Sequence, residues 1–442
     1  MTLTPHQSAE LLKATSGPLG LLGGGPGTGK TFTVAALVGS LSQSVGIDNI
    51  CIGAPTGKAA VRVTEVMQKA GLPIRARTWH SILRGGTDSA FAFDRKNPLP
   101  FSVLIGDESS MIDTALMAAI LRARPHGCLG LLVGDVNQLP PVGGGAPLRD
   151  FIAAGLPYGE LTEIKRNSGG IVEACHAIRQ GHRWECGDNL RLVEASAPEA
   201  QIECMLRTIA KEAMGGTDPI NDVQVLAAVN EKSPLARKAL NAILQAELNP
   251  LGAKASGNPM RVGDKVVCLK NGRYKAVEFD GSDPDADVND RNEAYVANGE
   301  LARVLDVDTT STTARLENPT RVVRIPRGGG ESSQAESDGG EQAAESGAGC
   351  NWDLGYCLSV HKSQGSEWPV VITMLDDYPG ARMVCSREFL YTAISRAKDT
   401  QYLIGRKATA DAMCARPAIW RRKTFLRERI AIERARLEIA EL

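Results

Sequence analysis

The chain has 442 residues, 43% of them hydrophobic, and a formal net charge of −1. That length can bury two or three cores, so a single small domain is excluded. No apolar run approaches the roughly 20 residues needed to cross a bilayer, and "MTLTPHQSAELLKA" lacks the basic-then-apolar order of a signal peptide. Ten cysteines with no Cys-x-x-Cys pair fit a reducing compartment, and a cytoplasmic location is the expectation.

In chain order, Leu19 to Leu22 read as a buried strand and Phe32 to Leu41 as a helix. Between them runs Gly24-x-x-x-x-Gly29-Lys30-Thr31, a phosphate-binding P-loop. Gly25, Gly27, Thr28 and Gly29 let backbone N–H groups converge on phosphate oxygens at a helix N-terminus. Lys30 is expected at the β- and γ-phosphates, and Thr31 is expected to offer its hydroxyl to Mg²⁺. A plain glycine-rich turn fits the spacing but not the strand–loop–helix context. Further strands are expected at 50–54, 103–105 and 129–133.

"FSVLIGDESSMID" ends the 103–105 strand on two carboxylates. Asp107 is assigned to the metal and Glu108 to the proton of the attacking water. "CLGLLVGDVNQLPPVGGG" ends the next strand on Asp135 and Gln138, whose amide can touch the γ-phosphate and report its loss.

"EACHAIRQGHRWEC" carries Cys175, His176, His182 and Cys186, but zinc ligands are usually spaced more tightly, and an amphipathic helix explains the stretch. "DVQVLAAVN" and "SPLARKALNAILQAELNP" then read as a strand and a helix. Next, "MRVGDKVVCLKN", "VANGELARVLDVD" and "TARLENPTRVVRIP" alternate apolar and polar residues around glycine turns, as small β-barrels do.

Charge is unevenly spread. Residues 276–294 carry −6 and residues 328–350 carry −5, which leaves +10 on the remainder of a chain at −1. A basic groove for nucleic acid is therefore compatible with the composition. The two acidic stretches are poor in apolar residues and are expected to be disordered loops.

"SVHKSQGSE" (359–367) crowds hydroxyl, imidazole, amide and carboxylate groups between two apolar runs. A Ser-His-Glu hydrolase triad there would lack the Gly-x-Ser-x-Gly nucleophile elbow. "GGGPGTGKT", "DESSMID", "GDVNQLPPV", "SVHKSQGSE" and "YTAISRAK" occur in the order found in superfamily 1 helicases, and the set most resembles the RecD/Dda group. The resemblance runs from the N-terminus to about residue 407.

It implies two RecA-like P-loop domains with parallel sheets, plus a small SH3-like β-barrel insertion in the second. The expected divisions are 1–168 (with a pin region at about 84–101), then 169–260 with 351–442, and 261–350 for the insertion. ATP and Mg²⁺ are the implied cofactors, with ATP between the two domains. Single-stranded DNA and DNA forks are the implied partners, with no membrane and no protein partner assigned. "LTPHQ" resembles the adenine-reading motif and implies Gln7 at the base. "APTGKAA" and "RTWHSIL" would set Thr56, Lys58, Thr78 and His80 along the DNA. Arg166 of "LTEIKRN" and Arg396 of "YTAISRAK" match the two arginines that reach the γ-phosphate. Gly365 would present backbone to that phosphate, and Glu367 would bind the ribose hydroxyls. Ser359, His361 and Lys362 would face DNA.

The implied activity is ATP-dependent unwinding of DNA, with travel 5′→3′. The polarity follows from the short span between "TWHSIL" and "DESSMID", a β rather than helical second insertion, and the form of "GDVNQLPPV". Phe91, Phe93, Pro98 and Pro100 suit a rigid pin or simple packing. A translocase that does not unwind, and an RNA helicase of the same superfamily, are the other readings. A P-loop module without activity is disfavoured, since every catalytic position is filled. "IWRRKTFLRERIAIERARLEIAEL" reads as a solvated terminal helix, with DNA or partner binding as its other reading.

Overall fold

The apolar runs become β1 (Leu19–Gly24), β2 (Ile50–Ala54), β3 (Ala76–Thr78), β4 (Val103–Gly106), β5 (Leu129–Gly134) and β6 (Tyr158–Leu161). They pair in the order β3-β2-β4-β5-β1-β6, and every pairing is parallel. The computed structural model describes residues 2–84, 91–163, 169–279, 293–317, 320–327 and 351–440. Two compact units divide the chain: Met1–Glu185 with Ser386–Ser395 and Met413–Leu442, and Cys186–Cys385 with Arg396–Ala412. The unit that holds the P-loop thus runs past residue 168 and takes back two later segments.

Strands covered on both faces should be near-continuous apolar runs with side chains split between two cores. That split is observed. Ile50, Ile52, Ile105, Leu131 and Val133 face a cluster with Val34, Val38, Val63 and Met67, from helices Lys30–Val45 and Gly57–Lys69. The alternate residues Cys51, Leu104 and Leu132 face a cluster with Trp79, Met117, Ile120 and Phe151. Trp79 is only 1% exposed. A Cβ at Gly53 would lie 2.3 Å from its indole, so the glycine makes room for the ring. Trp79 is a core residue.

Of the expected pin, residues 85–90 lie outside the described residues. The described part has no helix; Phe91 and Phe93 pack against the Trp79 cluster, while Pro98 and Pro100 are exposed. The Phe91 and His80 rings stand 5.9 Å apart.

In the second unit, β7 (Leu190–Val193) and β8 (Val223–Ala227) precede an antiparallel run. That run is β9 (Lys265–Cys268), β10 (Gly272–Phe279), β11 (Glu293–Val296), β12 (Leu301–Val307), β13 (Ser311–Glu317), β14 (Thr320–Pro326) and β15 (Trp352–Leu354). The chain then returns to a parallel sheet through β16 (Cys357–Ser359), β17 (Trp368–Met374) and β18 (Ala397–Ile404), in the order β16-β8-β17-β18-β7. The antiparallel strands lie in the order β11-β10-β14-β13-β12-β9-β15. Its edges, β11 and β15, do not pair, so the expected closed barrel is an open sheet among the described residues.

Both ends of the acidic stretch 276–294 are strand rather than loop: Ala276 pairs with Val323 and Phe279 with Arg321 at one end, and Glu293 with Lys275 and Ala294 with Tyr274 at the other. The partner strand supplies the backbone bonds that composition alone withholds. Residues 280–292 and the whole of 328–350 lie outside the described residues.

Buried charge ties this sheet together. Arg321 Nη2 donates to both Glu300 oxygens at 2.8 Å, and both residues are buried. Asp264, fully buried, accepts from Asn249 Nδ2 (2.7 Å), Arg261 N (2.7 Å) and Tyr356 OH (2.9 Å). Arg321→Ala is expected to destabilise the second unit by about 3–5 kcal/mol, because it strands the Glu300 carboxylate in a low-dielectric site. Urea denaturation measures this directly, and a loss below about 1 kcal/mol would mean that water reaches the carboxylate.

Candidate active site

In the first unit all six strands are parallel, so their C-terminal ends emerge on one edge. Gly23 pairs with Gly134, and Leu132 with Gly106, which brings the loops after β1, β5 and β4 side by side. The loop after β1 turns through left-handed backbone at Gly27 (φ 74°) and Gly29 (φ 83°), conformations that favour glycine. Gly29 caps helix Lys30–Val45 without a side-chain hydrogen bond. Lys30 Nζ donates to Gly24 O at 2.8 Å and Gly25 O at 3.1 Å, and Thr28 Oγ1 donates to Gly25 O at 2.8 Å. Gln7, 1% exposed, forms a capping box with Thr4, and its amide lies beside the loop: a Cβ at Gly29 would be 3.0 Å from Gln7 Nε2.

β4 delivers the two carboxylates. Asp107 N donates to Gly53 O at 2.9 Å, and its carboxylate accepts from Glu108 N at 2.9 Å. Burial, and then the neighbouring Glu108, push its pKa up to about 6, against the opposing pull of the Glu108 N–H, Lys30 and Arg62. Glu108 itself adopts left-handed backbone (φ 48°), uncommon for a side chain of that size. Its Oε2 is buried without a hydrogen-bond partner among the described residues. Strain and an unanswered acceptor at one residue mark a place built for something other than stability.

The loop after β5 is held from an unexpected side. Asp135 Oδ1 accepts from Asn137 N (3.0 Å) and Asn137 Nδ2 (3.1 Å), while Oδ2 accepts from Tyr391 OH at 2.7 Å. Leu139 N donates to Thr392 Oγ1 at 2.9 Å. Helix Arg387–Ile394 thus belongs with the first unit and pins Gln138 between two anchors. Gln138 is 3% exposed and its Oε1 is buried without a partner. Tyr391, its pKa raised well above the ordinary value by burial, places its hydroxyl 3.3 Å from where a Cβ on Gly25 would stand. Sequence reasoning missed Tyr391 and Thr392 as partners of this loop, although both lie inside the quoted "YTAISRAK".

Thr56 and Thr78 hydroxyls accept from Ala59 N and Ser81 N, both at 3.2 Å, capping the helices that follow β2 and β3. Ala54 pairs with Thr78, so these two caps, with Lys58 and His80 just beyond them, also rise on the same edge of the sheet.

In the second unit, Ser359 to Glu367 form the turn between β16 and β17. Gly365 takes left-handed backbone (φ 76°), and Ser363 Oγ donates to Val360 O at 2.8 Å. Arg396 is 3% exposed; its Nη1 donates to Ser366 O at 3.3 Å, and its carbonyl accepts from Trp368 N at 3.0 Å. Arg396 is thereby brought against the segment that holds Gly365 and Glu367. Lys362 Nζ donates to Asn298 Oδ1 at 3.0 Å, and burial pushes its pKa down. Ser359 is buried and accepts from Lys362 N at 3.4 Å, while His361 is half-buried. Arg166 lies outside the described residues.

Residues 7–144 match the family model of an AAA domain, and residues 354–404 match that of a UvrD-like helicase C-terminal domain. The ATP-dependent RecD2 DNA helicase of Deinococcus radiodurans is 34% identical over 436 residues, covering 97% of this chain and 52% of that protein. The RecBCD enzyme subunit RecD of Mycobacterium tuberculosis is 29% identical over 467 residues, covering 96% and 72%. This chain therefore spans about half the length of the RecD2 relative. Pif1 helicase from Bacteroides, solved in complex with ADP-AlF3 and ssDNA, shares the fold with a TM-score of 0.54 at 18% identity, covering 98% of this chain and 97% of that one. Along nearly its whole length the chain is similar to helicases of the RecD/Dda-like group of superfamily 1.

Proposed function

We propose that this chain is an ATP-dependent DNA helicase that travels 5′→3′ on single-stranded DNA and opens the duplex ahead of it. One observation carries the reading: the P-loop with Lys30, the buried Asp107 with its neighbour Glu108, and the buried Gln138 stand together on one sheet edge. The parallel sheets are read as RecA-like domains and the antiparallel sheet as an SH3-like insertion. Gln7 reads the adenine beside the loop it touches. Gly25, Gly27, Thr28 and Gly29 aim backbone N–H groups at the phosphates, and Lys30 turns from its loop carbonyls to the β- and γ-oxygens.

Thr31 and Asp107 supply hard oxygen donors, the set that Mg²⁺ prefers. Mg²⁺, when bound, neutralises charge across the β- and γ-phosphates. Glu108 takes the proton of the attacking water, and Gln138 reports the γ-phosphate. Arg166 and Arg396 answer the charge that develops on the transferred group. Gly365 and Glu367 complete the nucleotide contacts, on phosphate and ribose. Thr56, Lys58, Thr78, His80, Ser359, His361 and Lys362 form the DNA track. Contacts of this kind make binding salt-dependent and indifferent to sequence.

The polarity rests on the second insertion being β structure and on the absence of a helix in the described part of 84–101. Two partial duplexes test it, one with a 5′ tail and one with a 3′ tail. Unwinding of the 5′-tailed substrate is expected. Unwinding of only the 3′-tailed one overturns the polarity, and DNA-stimulated ATP hydrolysis with neither duplex opened would make the protein a translocase instead.

A further inference from the structure

We infer that Ile419–Arg429 is an accessory contact for single-stranded DNA, separate from the DNA track described above and resting on the helicase reading. The inward side of this segment is firmly held. Ala418 N and Ile419 N donate to the two oxygens of the buried Glu388 at 2.9 and 3.1 Å. Arg422 Nη1 donates to Gly143 O (2.6 Å) and Gly145 O (3.0 Å), and Thr424 Oγ1 donates to Asp150. Leu426 and Ile430 pack against the core cluster of Trp79.

The outward side carries Trp420, Arg421, Lys423, Phe425, Arg427 and Arg429, all exposed, with Glu428 the single exposed acid among them. Trp420 is 69% and Phe425 67% exposed. Large rings left in water next to four cations are not what a solvated helix presents. They are what a strand of nucleic acid requires, with rings for bases to stack on and cations for its phosphates. Two further features show that the rings are held in place. Phe425 sits in left-handed backbone (φ 53°), disfavoured for an aromatic residue, and the anchors on either side keep it there. The Arg149 guanidinium lies 5.8 Å from the Trp420 ring centre and stiffens it. Beside Trp420 opens a cavity of about 170 Å³, walled by Arg149, Arg179, Arg387 and Glu388 and by the apolar Val136 and Ile152.

The charge selects the occupant. Four cations against one carboxylate suit a polyanion, and no set of fixed donors and acceptors selects a base. Any sequence of single-stranded DNA should serve.

The test uses the full chain and labelled oligo(dT), with binding followed by anisotropy over a range of salt. Trp420→Ala/Phe425→Ala is expected to bind at least about thirtyfold more weakly, the loss of two stacking platforms. Arg421→Glu/Lys423→Glu is expected to lower the slope of log K against log salt by about 1.4, two phosphate contacts on a single strand. Trp79, Trp184, Trp352 and Trp368 are all at most 6% exposed, so the solvent-accessible, red-edge emission of the wild type reports Trp420. Oligo(dT) should quench that emission, a result independent of how well any variant folds. Wild-type binding with no quenching, and with both variants binding as tightly, overturns the accessory contact and leaves the helicase reading standing. No binding of oligo(dT) by the wild type overturns both.

Discussion

Lys30→Ala should leave the protein folded and almost without ATP hydrolysis, with kcat down by about 10³-fold, the upper range for one preorganised donor. Two consequences compound. The β- and γ-phosphates lose the ammonium that offsets their developing charge. The loop also loses the bonds from Nζ to Gly24 O and Gly25 O that hold it in the absence of nucleotide. Helix Lys30–Val45 keeps its buried face of Val34, Ala35 and Val38, so the fold itself should survive. Steady-state phosphate release with and without single-stranded DNA measures the effect. Turnover near that of the wild type would remove the P-loop from the reaction.

Glu108→Gln separates binding from chemistry. The variant is expected to bind ATP as well as the wild type and to hydrolyse it about 10²–10⁴-fold more slowly, the range of a lost general base. Gln preserves volume, and nothing in its shape disturbs the left-handed backbone at this position (φ 48°). Asp107 keeps the hydrogen bond from the residue 108 N–H and remains available to the metal. The buried Glu108 Oε2, without a hydrogen-bond partner among the described residues, is the atom whose basicity disappears. Fluorescent-nucleotide binding beside single-turnover hydrolysis resolves the two effects. Loss of nucleotide binding would show that the two carboxylates do not divide their work as proposed.

The chemistry of the first unit was readable because it is local. A buried strand, a glycine loop and a helix are consecutive in the chain, and so are the strand ending at Gly106 and its Asp107–Glu108 pair. Apolar runs at 50–54 and 129–133 became β2 and β5 because strands covered on both faces must be apolar throughout. The P-loop helix ran longer than read, Lys30–Val45, since its polar first and last turns carry no hydrophobic signal.

Sequence by itself determined which residues lie at strand ends, the order of the motifs, and so the family and its class of chemistry. Tertiary structure alone decided who meets whom. Tyr391 reaches Asp135, and Thr392 reaches Leu139, across more than half the chain, because a helix late in the sequence returns to the first unit. Trp79 fits into the core because Gly53, on a neighbouring strand, has no Cβ to exclude it. The ends of the acidic stretch became strand because β10 found β14 and β11 found β10. Trp420 and Phe425 face water because Glu388, Gly143, Gly145 and Asp150 hold the opposite side of their segment. Periodicity and turn chemistry act over a few residues and leave their mark on neighbouring letters. Pairing between distant segments depends on the path of the backbone through space, and no short window of sequence carries it.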